Sequence, residues 1–400
     1  MSRKIENLLV FAFTFAAFIL GTTEYVIVGL LQDISTSLNV SLAASGILVS
    51  GFAIAYAMGT PFVVAWLGHI PRHMTIAAAY AAVLILTAVT SMAASFPVML
   101  TLRISTAILC GLTLSLAIAM LSEFMSAARR AAAVAWVIGG FSIANVLGVP
   151  LGTLIGRATS WQASFLWTAI VGIIPLIIMM AIMPKSLTRS VVPVAQQLAL
   201  FKNRRIVLAF MIPVLGVGSV FIIYTYITPF LEDVLGFPQQ WTSSLLLVYG
   251  ALTIFSNWLG AKVAQGNSRV KLKIIFLIQT ALMAALALTV QLSWTALVLL
   301  MLVACFSYAI SAAAQLYLID LSDNAAPGSK DFAASLMPVA SNLGIAGGSF
   351  LGSFVIDIVG VAYLPWAGAL FAAGAFAVTA RCYQLDQLEA KHSLQPAQSA

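Results

Sequence analysis

The stretch RRAAAVAWVIGGFSIANVLGVPLGTLIGR, Arg129 to Arg157, decides how the chain is read. It is uncharged from Ala131 to Gly156. At 1.5 Å per helical residue, about twenty apolar residues cross the roughly 30 Å hydrocarbon layer of a bilayer, so this run is long enough to span one. It carries a basic pair at one end and a lone arginine at the other, and that asymmetry recurs along the whole chain.

Working outward, twelve such runs are found, at 8–31, 45–67, 74–94, 98–121, 131–156, 162–183, 206–231, 241–264, 272–291, 294–319, 332–356 and 362–381. The chain is 62% hydrophobic and 8% charged, with a mean hydropathy of +1.05. Soluble domains carry about a quarter charged residues, so the fold class is all-α integral membrane, with twelve transmembrane helices. Of the 19 Lys and Arg, all but Arg103 and Arg157 fall before the first run or in or at the borders of every second gap and the C-terminal end: Arg72, then Arg129 and Arg130, then the cluster from Lys185 to Arg205, then Lys262 to Lys273, then Lys330. Loops rich in Lys and Arg stay cytoplasmic, which places both termini there and requires an even span count. The formal net charge of +7 follows from this bias and suits anionic lipid headgroups, so nucleic acid is not an expected partner.

A cleavable signal peptide is the competing reading of the first run, but its loss would break the parity of the charge pattern. Cys110, Cys305 and Cys382 are dispersed, and His69, His73 and His392 have no ligand spacing, so neither a disulfide framework nor a metal site is expected. No Gly-x-x-x-x-Gly-Lys-Ser/Thr loop or soluble nucleotide domain is present for an ATP-driven pump, and no paired acids or nucleophile with base for an enzyme.

The long basic gap divides the chain into 1–183, a six-helix bundle; 184–205, a cytoplasmic linker; 206–382, a second bundle; and 383–400, a polar tail expected to be irregular. A shift of 200 residues lays Gly148 and Gly152 on Gly348 and Gly352, and Asp33 on Asp233, as an internal repeat of a secondary transporter would. In the fifth run Gly140, Asn145, Gly148, Pro150 and Gly152 combine a small-residue face with a proline that should bend the helix. Two such faces, in runs 5 and 11, are expected to meet the opposite half.

Here the chain resembles the major facilitator superfamily, specifically its twelve-helix drug:proton antiporter group with the sugar-efflux and arabinose-efflux permeases. The resemblance rests on Gly148 to Thr153 followed by Trp161 to Phe165, on Gly21 to Leu31, on Tyr226 to Leu231, and on Arg103. It implies two pseudo-symmetric six-helix bundles and an antiporter motif in helix 5. The loop between helices 2 and 3 departs from the family pattern. Gly59 and Arg72 are kept, but Gly68 stands where an acid is expected; Arg72 is left to pair with Glu123 as a cytoplasmic gate.

Glu24 and Arg103 are the ionisable residues deep inside a span, where a charge costs about 2.5 to 3.5 kcal/mol, so each must face protein or water. Glu24 lies about 10 Å from the outer end of its run and Arg103 about 8 Å from the outer end of its own. An ion pair or water-bridged contact between them fits these depths. Glu24, alternating between protonated and ionised forms with Arg103 and substrate competing for it, is the expected proton-coupling group. A permanent structural salt bridge, or a glutamate that only hydrogen-bonds substrate, stands beside that reading, and Asp33 is a second candidate at the outer boundary. Tyr25, Tyr56, Tyr224, Tyr226, Asn257, Tyr308, Gln315 and Tyr317 are the candidate cavity residues.

The expectation is therefore a monomeric proton-driven efflux antiporter of the bacterial inner membrane, working by alternating access, whose partners are lipid, protons and a small organic substrate. No cofactor beyond the coupling proton is expected. Phenicol-type drugs or lipophilic cations are the first substrate class, and multidrug resistance the associated phenotype. Arabinose-type sugars, glycosides or nucleosides are the alternative, and a receptor or channel the outlying one.

Overall fold

The computed structural model describes residues 3–185, 202–264, 268–325 and 330–394. Among these described residues, twelve helices are long and apolar enough to cross a membrane: α1 Arg3–Ser37, α2 Leu42–Trp66, α3 Arg72–Thr90, α4 Phe96–Phe124, α5 Ala132–Ala158, α6 Trp161–Ile182, α7 Arg204–Tyr224, α8 Gln239–Val263, α9 Val270–Leu288, α10 Ser293–Ser322, α11 Leu336–Val359 and α12 Val361–Leu388. Most of the linker expected at 184–205, and residues 395–400, lie outside the described residues. The chain divides into two compact units, Met1–Val194 with Tyr224–Ala251, and Ala195–Ile223 with Leu252–Ala400.

In the first unit α1 is the central helix, buried on every side from Ile19 to Leu31. It packs on α2, α5 and α6, while α3 lies against α4 and α6. The seam between α1 and α5 is made by glycines from both helices. A Cβ on Gly140 would stand 2.2 Å from the Thr14 carbonyl oxygen, and one on Gly29 would stand 1.8 Å from Thr153 Oγ1; Gly148 meets Thr22, Gly152 meets Val26 and Gly156 meets Leu30. Such a seam lets two backbones approach where lipid offers no hydrophobic drive to hold helices together.

The second unit repeats the arrangement between α7 and α11, where a Cβ on Gly348 would stand 2.3 Å from the Gly218 carbonyl oxygen and one on Gly344 2.6 Å from that of Val214. The glycine faces of helices 5 and 11 are thus spent inside their own halves, against the first helix of each. This corrects the expectation that they meet the opposite half. Glycine spacing shows that a helix comes close, and leaves open which one.

Prolines shape the helices. In α2 and α5 a π-helical turn, Ala55–Gly59 and Ala144–Gly148, ends two residues before Pro61 and Pro150. Each proline lacks the N–H that would serve a carbonyl inside that turn, so the ladder widens there. Pro229 likewise withholds an N–H from Thr225, and α7 stops at Tyr224; the run read as 206–231 resumes as the short turns Ile227–Pro229 and Phe230–Val234. The run read as 294–319 is broken at Tyr308, whose N–H is instead donated to Ser256 Oγ at 2.9 Å.

The tail expected to be irregular from Tyr383 is helical, since the last helix runs Leu364–Leu394. Its first turns beyond the apolar run are tethered. Lys273 Nζ sits 4.2 Å from the Tyr383 ring centroid, and Asp386 accepts from Arg205 and from the Tyr317 hydroxyl.

Candidate functional site at Glu24 and Arg103

Glu24 sits in the fully buried stretch of α1, 5% exposed, and its carboxylate forms no ion pair among the described residues. Arg103, on α4, is 1% exposed. Its guanidinium donates to the main-chain carbonyls of Thr23 and, at 2.9 Å, of Glu24, and stands 4.3 Å from the centre of the Phe52 ring. The direct ion pair that the matching depths allowed is therefore not formed; the arginine is docked on the backbone of α1 beside the acid. Two carbonyls and an aromatic face stabilise a desolvated guanidinium, a geometry that lysine's single ammonium does not match.

Tyr25 and Arg103 act on the Glu24 carboxyl, the first as a hydrogen-bonding neighbour and the second through its charge, and Tyr56 and Cys110 feel the charge of Glu24 in turn. Tyr25 also packs edge-on against Phe141, with ring centroids 5.7 Å apart. Tyr56 is carried by the π turn of α2 and is 7% exposed. A buried carboxyl in this setting has three sources of neutralisation: a proton, the adjacent guanidinium, or a positively charged ligand.

A second polar group gathers around the π turn of α5. Asn145 Oδ1 accepts from the Tyr224 hydroxyl at 3.2 Å, and the Tyr224 ring stacks on Tyr249 with centroids 5.2 Å apart. Tyr226 is fully buried, its hydroxyl filling the space beside Gly46. In the second unit Asn257 lies on an exposed face of α8, Tyr308 and Gln315 are half-buried on α10, and Tyr317 is buried at the Arg205–Asp386 pair. Within the first unit, Tyr25 and Tyr56 thus lie beside Glu24, and Tyr224 beside Asn145. The arginine ring stack with Phe52 and the proximity of Cys110 were missed in the sequence, because neither residue type carries a signal in a span already rich in apolar residues.

At the Arg72 end, Arg72 donates to Glu123, and Gly59 of α2 lies where a Cβ would stand 2.6 Å from Ile108 of α4. At the opposite end, Asp33 shares a cavity of about 400 Å³ with Arg157, Trp161 and Gln239.

The sequence model of the Major Facilitator Superfamily matches residues 13–348. The chain belongs to that superfamily. As a Major Facilitator protein it is a multi-pass membrane transporter and not an enzyme, with the superfamily's twelve helices in two six-helix halves. It is 28% identical to the Bacillus subtilis transporter YtbD over 92% of this chain and 93% of that one. It is also 28% identical to the Escherichia coli inner membrane transport protein YdhP, over 90% and 92%. A probable sugar efflux transporter of Helicobacter pylori is 24% identical over 92% and 93%. Among solved structures, a bacterial homologue of the human lysosomal transporter Spinster matches with a TM-score of 0.76 at 16% identity, covering 96% of this chain and 98% of that one. The nucleoside transporter NupG matches at 0.72 and 15%, covering 95% and 98%. At these identities the structures speak for the fold.

Proposed function

We propose that this Major Facilitator protein is a proton-coupled exporter of small organic molecules, of the phenicol or lipophilic-cation kind, working by alternating access. The observation that carries the reading is the Glu24 carboxyl, buried and in no ion pair among the described residues, beside a guanidinium that is docked elsewhere. Such a carboxyl holds a proton in one state and yields it to the water of the other side, or to a cationic substrate, when access changes. The protein sits as a monomer in a bacterial inner membrane, with its Arg72 end cytoplasmic. Its partners are lipid, protons and substrate, and it needs no cofactor. The Helicobacter pylori relatives favour a second reading, efflux of a sugar or related neutral molecule, for which the tyrosines and Asn145 supply hydroxyl and amide groups.

The test is transport in proteoliposomes with an internal pH probe, over a panel of cationic drugs, phenicols, sugars and nucleosides. A substrate that moves protons in the parent protein and not in Glu24→Gln supports the proposal. Full coupling in Glu24→Gln removes the acid from the mechanism, and transport without proton movement removes antiport.

A further inference from the structure

The outer ends of α1 and α5 carry an arrangement that the Glu24 site does not use. Arg157, the lone basic residue of the outer loops, donates to the Glu232 carboxylate and to the Gln239 carbonyl. The same Glu232 oxygen accepts from Thr242. On α1, Gln32 donates to Asp233 at 3.2 Å, and Thr228 donates to the Val28 carbonyl at 3.3 Å. All of these residues belong to the first compact unit, in which 224–251 is the late-sequence segment. Arg157 and Glu232 side chains are 13% and 11% exposed, so the pair is shielded and worth more than a surface ion pair.

Asp33 stands beside this pair. It lines the same cavity of about 400 Å³ as Arg157, and its Oδ2 is covered without a hydrogen-bond partner among the described residues. One arginine therefore shares its surroundings with two acids and is bonded to one of them.

We propose that Arg157 is the bolt of an outer latch: paired with Glu232 it holds the segment 227–242 against α1 and α5, and when the latch opens it transfers to Asp33. The transfer keeps the arginine's charge compensated in both states, which lets a shielded ion pair break without leaving a bare charge. Asp33 thereby stabilises the open state and Glu232 the closed one. The inference rests on the alternating-access reading above and on nothing about Glu24 or the substrate.

The experiment introduces Thr228→Cys into the full-length protein in cells and follows its labelling by a membrane-impermeant maleimide added outside, with the modified residue located by peptide mass spectrometry. Thr228 is fully buried, so a thiol introduced there should be protected, whereas Thr159→Cys on the exposed loop should label at once. Adding Glu232→Gln, which keeps the shape, should raise the labelling rate of Thr228→Cys about tenfold or more, as loss of a shielded charge-assisted bond implies. Asp33→Asn should lower it below the parent. Opposite signs from two acids on one arginine identify the latch; generic loosening would raise both rates. An unchanged rate in Glu232→Gln, a raised rate in Asp33→Asn, or rapid labelling of Thr228→Cys without a second change would overturn the proposal. None of these readouts needs a substrate, so a failure of proton coupling leaves the test standing.

Discussion

Arg103 shows how a buried charge is held on carbonyls where no carboxylate bonds it. Its two bonds go to the backbone of the helix that carries Glu24, so the arginine is fixed to the same segment of α1 as the acid. Arg103→Ala removes two charge-assisted hydrogen bonds to the α1 backbone and opens a void beside Phe52; a hydrogen bond from a charged group is worth about 1.5 to 3 kcal/mol, and thermal unfolding in detergent should register a loss of at least that size. Arg103→Lys keeps the charge but loses the fork, and transport should fall between parent and alanine variant, read in the proteoliposome assay. The presence of a lone acid and a lone base at one depth was legible from sequence, because charges in apolar runs are rare. Their failure to pair was not, since whether guanidinium meets carboxylate or carbonyl is settled by less than one helical turn of rotation.

The helices owe their departures from regularity to proline and their closeness to glycine, and both are open to test within one element. In α5 a Cβ at Gly140 would collide with the Thr14 carbonyl, whereas at the neighbouring Gly139 nothing lies within 4 Å. Gly140→Ala should therefore destabilise the protein by several degrees, while Gly139→Ala should be neutral or slightly stabilising, since alanine is favoured over glycine in a helix by about 1 kcal/mol. Pro150→Ala supplies the missing N–H and lets the turn tighten, so transport should fall in the proteoliposome assay as Asn145 is carried off the Tyr224 hydroxyl. That α5 departs from regularity near Pro150, and that it has a close face, could be read from the letters. The partner of that face could not, and neither could the breaks at Thr225 and Tyr308, which depend on Pro229 and on Ser256 in a different helix.

For the molecule as a whole, the length and hydropathy of the runs were sufficient to count the spans, because the bilayer sets a least length for each of them. The proposed orientation gives a direct expectation: cysteine placed at His69, exposed at the Arg72 end, should react with impermeant maleimide only in inverted vesicles, and cysteine at Thr159 only in intact cells. Where the reading fell short was beyond the apolar runs. The final helix continues to Leu394 because Asp386 is anchored by Arg205, a pairing 181 residues apart that no local pattern announces. The π turn Ala144–Gly148 adds a different kind of demand on the chain. A π turn spends one residue more than an α-helical turn on nearly the same rotation, so tightening it to a regular ladder with its five residues kept would rotate everything after it by about 100°, turning Gly152 and Gly156 away from Val26 and Leu30. The turn therefore sets the phase of the seam that follows it, and an inserted residue there should be purged as surely as a side chain at Gly148, which has no room for a Cβ beside Thr22.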